Sequence, residues 1–417
     1  MDTCAELSYA IPTIRARIAA QGGKSTTMNA RVQSSISIPR VAAIVTVCVI
    51  GAIVTIVMPG ILAALIASRG LSVAQAAMIT SVEMVGMAIA TVTTAPLLAT
   101  VDRRALLIAA LAIAATGDLG AAGTSGYVSL LSFRFVAGFG EGALIASMSA
   151  AIAATGQPDR LFALFMTVNL LVSMGLLRAF PVLAKTWGAA GVYGALLLLT
   201  LAGVFCIPAF PRRAVAAPAA HGGIRGILKL LREPPVALGV FACLILFVGV
   251  GMVWPLMGQL GASYGMPLEK VDAALGNSAL VGVFSGLFTF WLGTRVGRRV
   301  PLIVGSCGLL ATTAALALSG AASWFDFATI VFMFSWVIAT AYYLGTLAHV
   351  DVTGRAATLG LAMQQAGLVV GPALAAALVQ GNRFHSALWS SCGTFALALI
   401  TVSAADRLAV SYRQRTA

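Results

Sequence analysis

The sequence predicts an all-α integral membrane protein with twelve crossing helices arranged as two six-helix halves. Three observations lead there. Of the 417 residues, 60% are hydrophobic, and mean hydropathy is +0.98, too little polar surface to cover a water-soluble globule of this size. Apolar runs of about 20 residues, enough to cross a hydrocarbon core of about 30 Å, recur along the chain and are roughly twice the length of a membrane strand. The two halves of the chain also align at one constant shift.

Residues 1–39 are polar, hold no apolar core and read as a disordered cytoplasmic tail without a cleavable signal, with Met28 as a second candidate start. GGKST at 22–26 is not a phosphate loop, because Ile18 stands where that motif requires glycine. Spans follow at 40–67, 71–97, 105–124, 127–153, 161–184 and 188–210, forming an N-terminal bundle over 40–210. The connection 211–234, PRRAVAAPAAHGGIRGILKLLREP, reads as a cytoplasmic linker in which IRGILKLLR has the pattern of a short amphipathic surface helix. A C-terminal bundle over 235–404 holds spans at 235–260, 269–292, 300–320, 325–348, 357–380 and 386–404, and 405–417 is a second cytoplasmic tail.

A net charge of +13 suggests nucleic acid until the basic residues are located. Of 26 Lys and Arg, 20 fall in the tails and the even-to-odd connections, four (Arg69, Lys185, Lys270, Arg383) in the odd-to-even ones, and two inside spans. Excess Lys and Arg marks the cytoplasmic side, so both termini are expected there, in a bacterial inner membrane. The charge is then topological, and no nucleic-acid partner is expected. Six cysteines without a CxxC pair read as packing residues, and the three histidines have no ligand spacing. With no catalytic motif either, neither an enzyme nor a bound metal or cofactor is expected.

The internal repeat is specific. ATVDRRALLI (99–108) lies over TRVGRRVPLI (294–303) at an offset of 195, and the same offset carries Arg160 of QPDR onto Arg355 of VTGR. Parallel six-helix repeats point to a transporter with its site between the halves. Here the chain resembles the major facilitator superfamily, from residue 40 onward. That family carries a loop of the form G-x-L-A-D-R-x-G-R-R between helices 2 and 3, echoed between helices 8 and 9. APLLATVDRR (95–104) matches in part, with Ala95, Ala99, Thr100 and Asp102 at the Gly, Asp, Arg and Gly positions. FWLGTRVGRR (290–299) keeps Arg295, Gly297, Arg298 and Arg299 but has Thr294 for the acid. RFVAGFGEG resembles the family's helix 4 signature, and GLVVGP (367–372) resembles a packing motif of drug antiporters, though in helix 11. The resemblance implies cytoplasmic gating loops at Asp102, Arg103, Arg104, Arg295, Arg298, Arg299, Asp351 and Arg355. It also puts helices 1, 4, 7 and 10 around a cavity, flanked by 2, 5, 8 and 11.

Charged residues inside spans single out candidate sites. Arg134 and Glu141 in LLSFRFVAGFGEGALIA share one face, about 10 Å apart along the axis, which reads as too far to pair directly. Counted from the outer span ends, Arg134 lies about 10 Å deep, Arg178 and Asp118 about 9 Å, and Glu83 and Glu141 about 18 and 21 Å. Two cations facing one acid leave a positive surplus that suits an anionic solute group, held by Arg134, Arg178 and Glu141. In the structural alternative, Asp118 or Glu83 neutralises Arg134 and the cluster only braces the half. Glu83 and Glu141 are candidates for carrying a proton as the cavity alternates. The C-terminal half shows no comparable charge and offers Trp254, Gln259, Asn277, Trp336, Tyr342, Tyr343, Gln364 and Gln365 for an apolar or aromatic body. Small-residue pairs at Gly138 and Gly142, Gly282 and Gly286, and Gly367 and Gly371 mark close helix approaches. The expected protein is a monomeric, proton-coupled secondary transporter of a small organic, anionic solute, with the lipid bilayer, the solute and protons as partners. Efflux of hydrophobic compounds is the second reading, and a transport-fold sensor the third.

Overall fold

A computed structural model describes residues 37–98, 101–153, 158–210, 230–319, 322–350, 355–379 and 383–416. The N-terminal tail through residue 36, linker residues 211–229 and Asp351 lie outside the described residues.

All the long elements are helices, as lipid demands when no water is present to satisfy backbone N–H and C=O groups. They are α1 (Ile38–Arg69), α2 (Val73–Leu97), α3 (Arg103–Gly123), α4 (Tyr127–Ala153), α7 (Pro234–Ser263), α8 (Leu268–Leu292), α9 (Arg299–Ser319), α10 (Ala322–Val350), α11 (Arg355–Leu378) and α12 (His385–Thr416). Between α4 and α7 runs one continuous stretch, Pro158–Ala202, extended by a 3-10 segment, Gly203–Ala209. Among the described residues, eleven stretches are long and apolar enough to cross a membrane, and this one counts once over its 46 residues from Leu164 to Ala209. At about 1.5 Å per residue it is about twice too long for a single crossing. Gly188 resolves the excess, with φ 62° and ψ −153° breaking the helix, a conformation open to glycine. The limb before it is α5 (158–187) and the limb after it α6 (189–209). Ser68 at the end of α1 accepts the Ala189 N–H at 2.9 Å, and Arg104 at the start of α3 donates to the Phe210 carbonyl at 2.8 Å. The second limb therefore returns across the full thickness, and the described residues make twelve crossings.

Two boundaries moved. α7 is interrupted by a 3-10 turn at Trp254–Leu256, where Pro255 cannot donate. α12 continues to Thr416, through the stretch read as a tail.

The offset of 195 is a property of packing as well as of sequence. A methyl group at Gly140 would lie 2.7 Å from the Ala110 carbonyl oxygen, and one at Gly305 would lie 3.1 Å from that of Ser335, the same α3/α4 crossing repeated as α9/α10. Ser81 on α2 donates across the halves to the Val369 carbonyl on α11 at 2.7 Å. Their twins 195 residues away, Gly276 on α8 and Met174 on α5, also meet, with the Met174 oxygen 3.5 Å from a methyl placed at Gly276. Arg104 and its twin Arg299 do the same work, each tying the start of one helix to the end of another. Arg104 donates to the carbonyls of Phe210 and Pro208, and Arg299 Nε lies 2.6 Å from Asp406 Oδ2 on α12.

One face of the bundle carries Arg103 and Arg104 at the start of α3, the basic connection 293–298 and the Pro234 end of α7; it is called the basic face below. Hydrogen bonds joining the halves lie toward the opposite face: Ser81 to Val369, Arg178 to Asn277 at 2.6 Å, and Trp254 Nε1 to the Ile56 carbonyl at 3.0 Å. Toward the basic face the twin residues Met166 and Leu361, on the inward sides of α5 and α11, are 53% and 49% exposed. A methyl at Gly286, on the inward side of α8, would meet no atom within 4 Å. Among the described residues, the halves are joined toward the face opposite the basic one.

Candidate functional site

The charged centre of the N-terminal half is built by glycines on α4. Methyl groups at Gly138 and Gly142 would lie 2.1 Å from the carbonyl oxygens of Glu83 and Met87, and α3 approaches as closely, since one at Gly117 would lie 2.3 Å from the Ala137 nitrogen. With α2 and α3 drawn onto α4 in this way, Glu83, Asp118 and Arg134 meet. The Arg134 guanidinium bonds Glu83 Oε1 through Nη2 and Asp118 Oδ1 through Nη1, the latter at 2.7 Å, and its carbon lies 4.9 Å from the centre of the Tyr193 ring on α6. Thr200 donates to the other Asp118 oxygen at 3.3 Å. All four charged groups are buried, at 2% exposure for Glu83, 1% for Asp118, 0% for Arg134 and 3% for Glu141.

Two expectations need correction here. Glu141 Oε1 lies 3.8 Å from Arg134 Nη2, so the two side chains reach across the axial gap that separates their backbones. Nor is there a positive surplus at Arg134, where three carboxyl groups face one cation. The Arg134 Nε and Glu141 Oε2 atoms are buried without a hydrogen-bond partner.

The C-terminal half replaces this cluster with neutral residues. At the offset of 195, Glu83, Asp118, Arg134 and Glu141 become Ser278, Thr313, Thr329 and Trp336. One acid there was missed: Asp272 on α8 is 1% exposed and its Oδ1 has no partner. It stands three residues inside the expected span 269–292 and was not singled out in the sequence.

Several residues proposed to touch solute have protein partners. Tyr343 Oη lies 3.1 Å from Ser306 Oγ inside the half, and Tyr342 donates to the Gly293 carbonyl at 2.6 Å. Trp254 stacks on Phe332 with ring centres 6.3 Å apart and leans on Trp336 at 5.8 Å, while its N–H closes the seam to α1. Gln259 and Gln365 are half-buried, and Arg178 and Asn277 are exposed and bonded to each other. Gln364 on α11 stands out, 7% exposed with Nε2 unpartnered. Its twin at 195 is Asn169 on α5, 3% exposed with Oδ1 unpartnered, a residue the sequence reading passed over. Each amide lies three residues beyond an exposed twin, Met166 or Leu361, toward the face opposite the basic one. One of the pair offers a buried acceptor and the other a buried donor. The cavity of about 290 Å³ beside Arg40 and Arg104 lies elsewhere, on the basic face.

Residues 43–362 match the profile described as Major Facilitator Superfamily. The chain belongs to that superfamily. It is a membrane transporter and not an enzyme. Solved structures with the same fold include a point mutant of the nucleoside transporter NupG, with a TM-score of 0.71 and 12% identity over 88% of this chain and 98% of that one. A D-xylose–proton symporter aligns with a TM-score of 0.68 and 14% identity, covering 88% of this chain and 97% of its own. The xylose transporter XylE from E. coli, in a partially occluded inward-open conformation, gives 0.68 and 11% over 88% and 98%. Identities this low establish the fold alone. A comparison with curated proteins finds no match.

The superfamily's loop residues hold helix ends together at the basic face. Asp102 caps α3 by accepting the Arg104 N–H at 2.7 Å, and Arg103 is 2% exposed with an unpartnered Nε. Arg295 stacks over Trp291 at 4.9 Å, and Arg298 is half-buried. Of Arg355 only its place at the start of α11 is described.

Proposed function

We propose that this superfamily member is a proton-coupled secondary transporter for a small, uncharged, hydrogen-bonding organic solute, and that its basic face is cytoplasmic. The twin amides carry the reading. An unpartnered donor on Gln364 and an unpartnered acceptor on Asn169, both buried at twin positions of the two halves, suit a ligand with hydroxyl or amide groups. An anionic solute loses its support here, because Arg134 already faces three carboxyls and Arg178 is bonded to Asn277 at the protein's edge. The fold neighbours named for nucleoside and D-xylose handle solutes of the uncharged kind. Two six-helix halves related by one offset and joined by hydrogen bonds toward one face suit alternating access.

Charge balance supports the coupling. One guanidinium neutralises one carboxylate, so three ionised acids around Arg134 would leave two net negative charges out of water, a costly state that bound protons remove. Glu141, the acid that Arg134 holds least closely, is the natural carrier.

Two experiments test this. Thermal stabilisation of the purified protein is measured against pentoses and hexoses, nucleosides, organic acids and cationic drugs. Uncharged polyhydroxyl compounds are expected to stabilise the wild type, with Asn169→Ala and Gln364→Ala each weakening the effect about tenfold in affinity. Stabilisation by organic acids or cationic drugs instead would reject the solute assignment. In vesicles, Glu141→Gln is expected to keep solute counterflow while losing uptake driven by a proton gradient, and intact gradient-driven uptake would reject the coupling role.

A further inference from the structure

We infer that the α5/α8 seam is a phospholipid-headgroup site, in which Arg178, steadied by Asn277, takes the phosphate of an anionic lipid from the leaflet opposite the basic face. The sides of the helices on which these residues stand are lipid-facing. On α5, Arg178 continues a stripe with Leu164, Leu171 and Val182, which are 42%, 42% and 63% exposed. On α8, Asn277 shares a stripe with Phe284, Phe288 and Trp291, at 60%, 41% and 59%. Only lipid suits such surfaces.

The repeat supplies the comparison. At the matching seam of α2 and α11, the offset of 195 puts Val82 in place of Asn277 and Ala373 in place of Arg178, and both are half-buried. Packing the two seams together therefore requires no polar pair at these positions. The α5/α8 seam has one nonetheless.

A charge facing hydrocarbon is costly unless it is paired. The bond to Asn277 Oδ1 at 2.6 Å satisfies one N–H of the guanidinium, which has five. Arg178 lies nine residues before Trp187, at the end of α5, so its backbone is about 14 Å below that end. Asn277, nine residues inside α8, holds the charged head at that depth, so the headgroup is drawn down to it by local thinning of the bilayer. There the acceptor best matched to a planar fork of donors is a lipid phosphate. Because the Arg178–Asn277 bond joins the halves toward the face opposite the basic one, a phosphate bound to the same guanidinium favours closure there, and lipid composition then biases the alternation.

The test uses the full chain purified in detergent, with phosphatidylglycerol, phosphatidylcholine or soluble glycerol phosphate added, read by native mass spectrometry and thermal shift. The wild type is expected to retain and be stabilised by phosphatidylglycerol over phosphatidylcholine. Arg178→Gln is expected to lose that preference with affinity falling about tenfold, and Arg178→Lys to keep part of it. Should Arg178→Gln fail to fold, Asn277→Val, which installs the residue of the twin seam, is expected to weaken retention in the same direction. Equal phosphatidylglycerol retention by wild type and the folded variants overturns the inference. Stabilisation by glycerol phosphate alone also overturns it, and moves Arg178 to a soluble-anion site.

Discussion

Arg134→Leu is expected to leave little folded protein in the membrane. The substitution removes the cation that Glu83, Asp118 and Glu141 share, and all four groups are at most 3% exposed. Removing one partner of a buried ion pair costs about 3–5 kcal/mol, because the charge left behind has neither water nor counterion. Here more than one carboxyl loses its partner, on α2 and α3, which both pack on α4. Arg134→Lys is expected to recover part of the loss, since an ammonium keeps the charge but cannot present two nitrogens in a plane to Glu83 and Asp118 together. Size-exclusion profile and thermal midpoint in detergent are the readouts. Combining Arg134→Leu with Glu83→Gln, Asp118→Asn and Glu141→Gln separates the electrostatic cause from lost packing, because neutralising the acids is expected to restore folding while coupled transport stays absent. A single Arg134→Leu protein as stable as wild type would show that the cluster does not hold α2, α3 and α4 together.

Much of this fold was legible in the sequence because lipid imposes lengths. Runs sized to the bilayer located the spans to within a few residues except at the end of α12, and they separated 161–184 from 188–210, where the structure has one continuous stretch broken at Gly188. The repeat was legible from two arginine pairs, and the structure extends the same offset to packing contacts and to the Arg104 and Arg299 ties. The sites were less legible. Axial rise along one helix put Arg134 and Glu141 about 10 Å apart, but a buried arginine's partners come from neighbouring helices, and which helices touch α4 depends on glycines whose effect is seen only when the backbones meet. Asn169 was overlooked as one polar residue in an apolar run, although carrying the offset of 195 to Gln364 would have marked both. Arg178 shows a different limit. Its spacing from Leu171 and Val182 is plain in the sequence, but whether that stripe faces lipid or cavity is decided by what packs on the other side of α5.

Gly138→Val carries the other large expected effect. A methyl alone at this position would lie 2.1 Å from the Glu83 carbonyl oxygen and 3.2 Å from the Glu83 Cα, with backbone and not a flexible side chain as the obstacle. Rotamer changes cannot relieve such a clash, so α2 and α4 must separate. Overpacking typically costs about 1–3 kcal/mol, and the separation adds to it by drawing Glu83 away from Arg134. A steric change is thereby converted into a buried charge without its partner, which predicts a defect close to that of Arg134→Leu. Gly142→Val, facing the Met87 carbonyl at the same 2.1 Å, is expected to clash equally but to disturb the charge cluster less, and so to be the milder of the two. Gly286→Val is the control, since a methyl there meets nothing within 4 Å, and the variant is expected to accumulate like wild type. If Gly138→Val gives a stable monodisperse protein, α2 and α4 are not in backbone contact, and the physical reason for bringing Glu83 to Arg134 is gone. If it fails while Gly138→Val with Glu83→Gln recovers part of the folded yield, the penalty divides as argued, one share steric and one electrostatic.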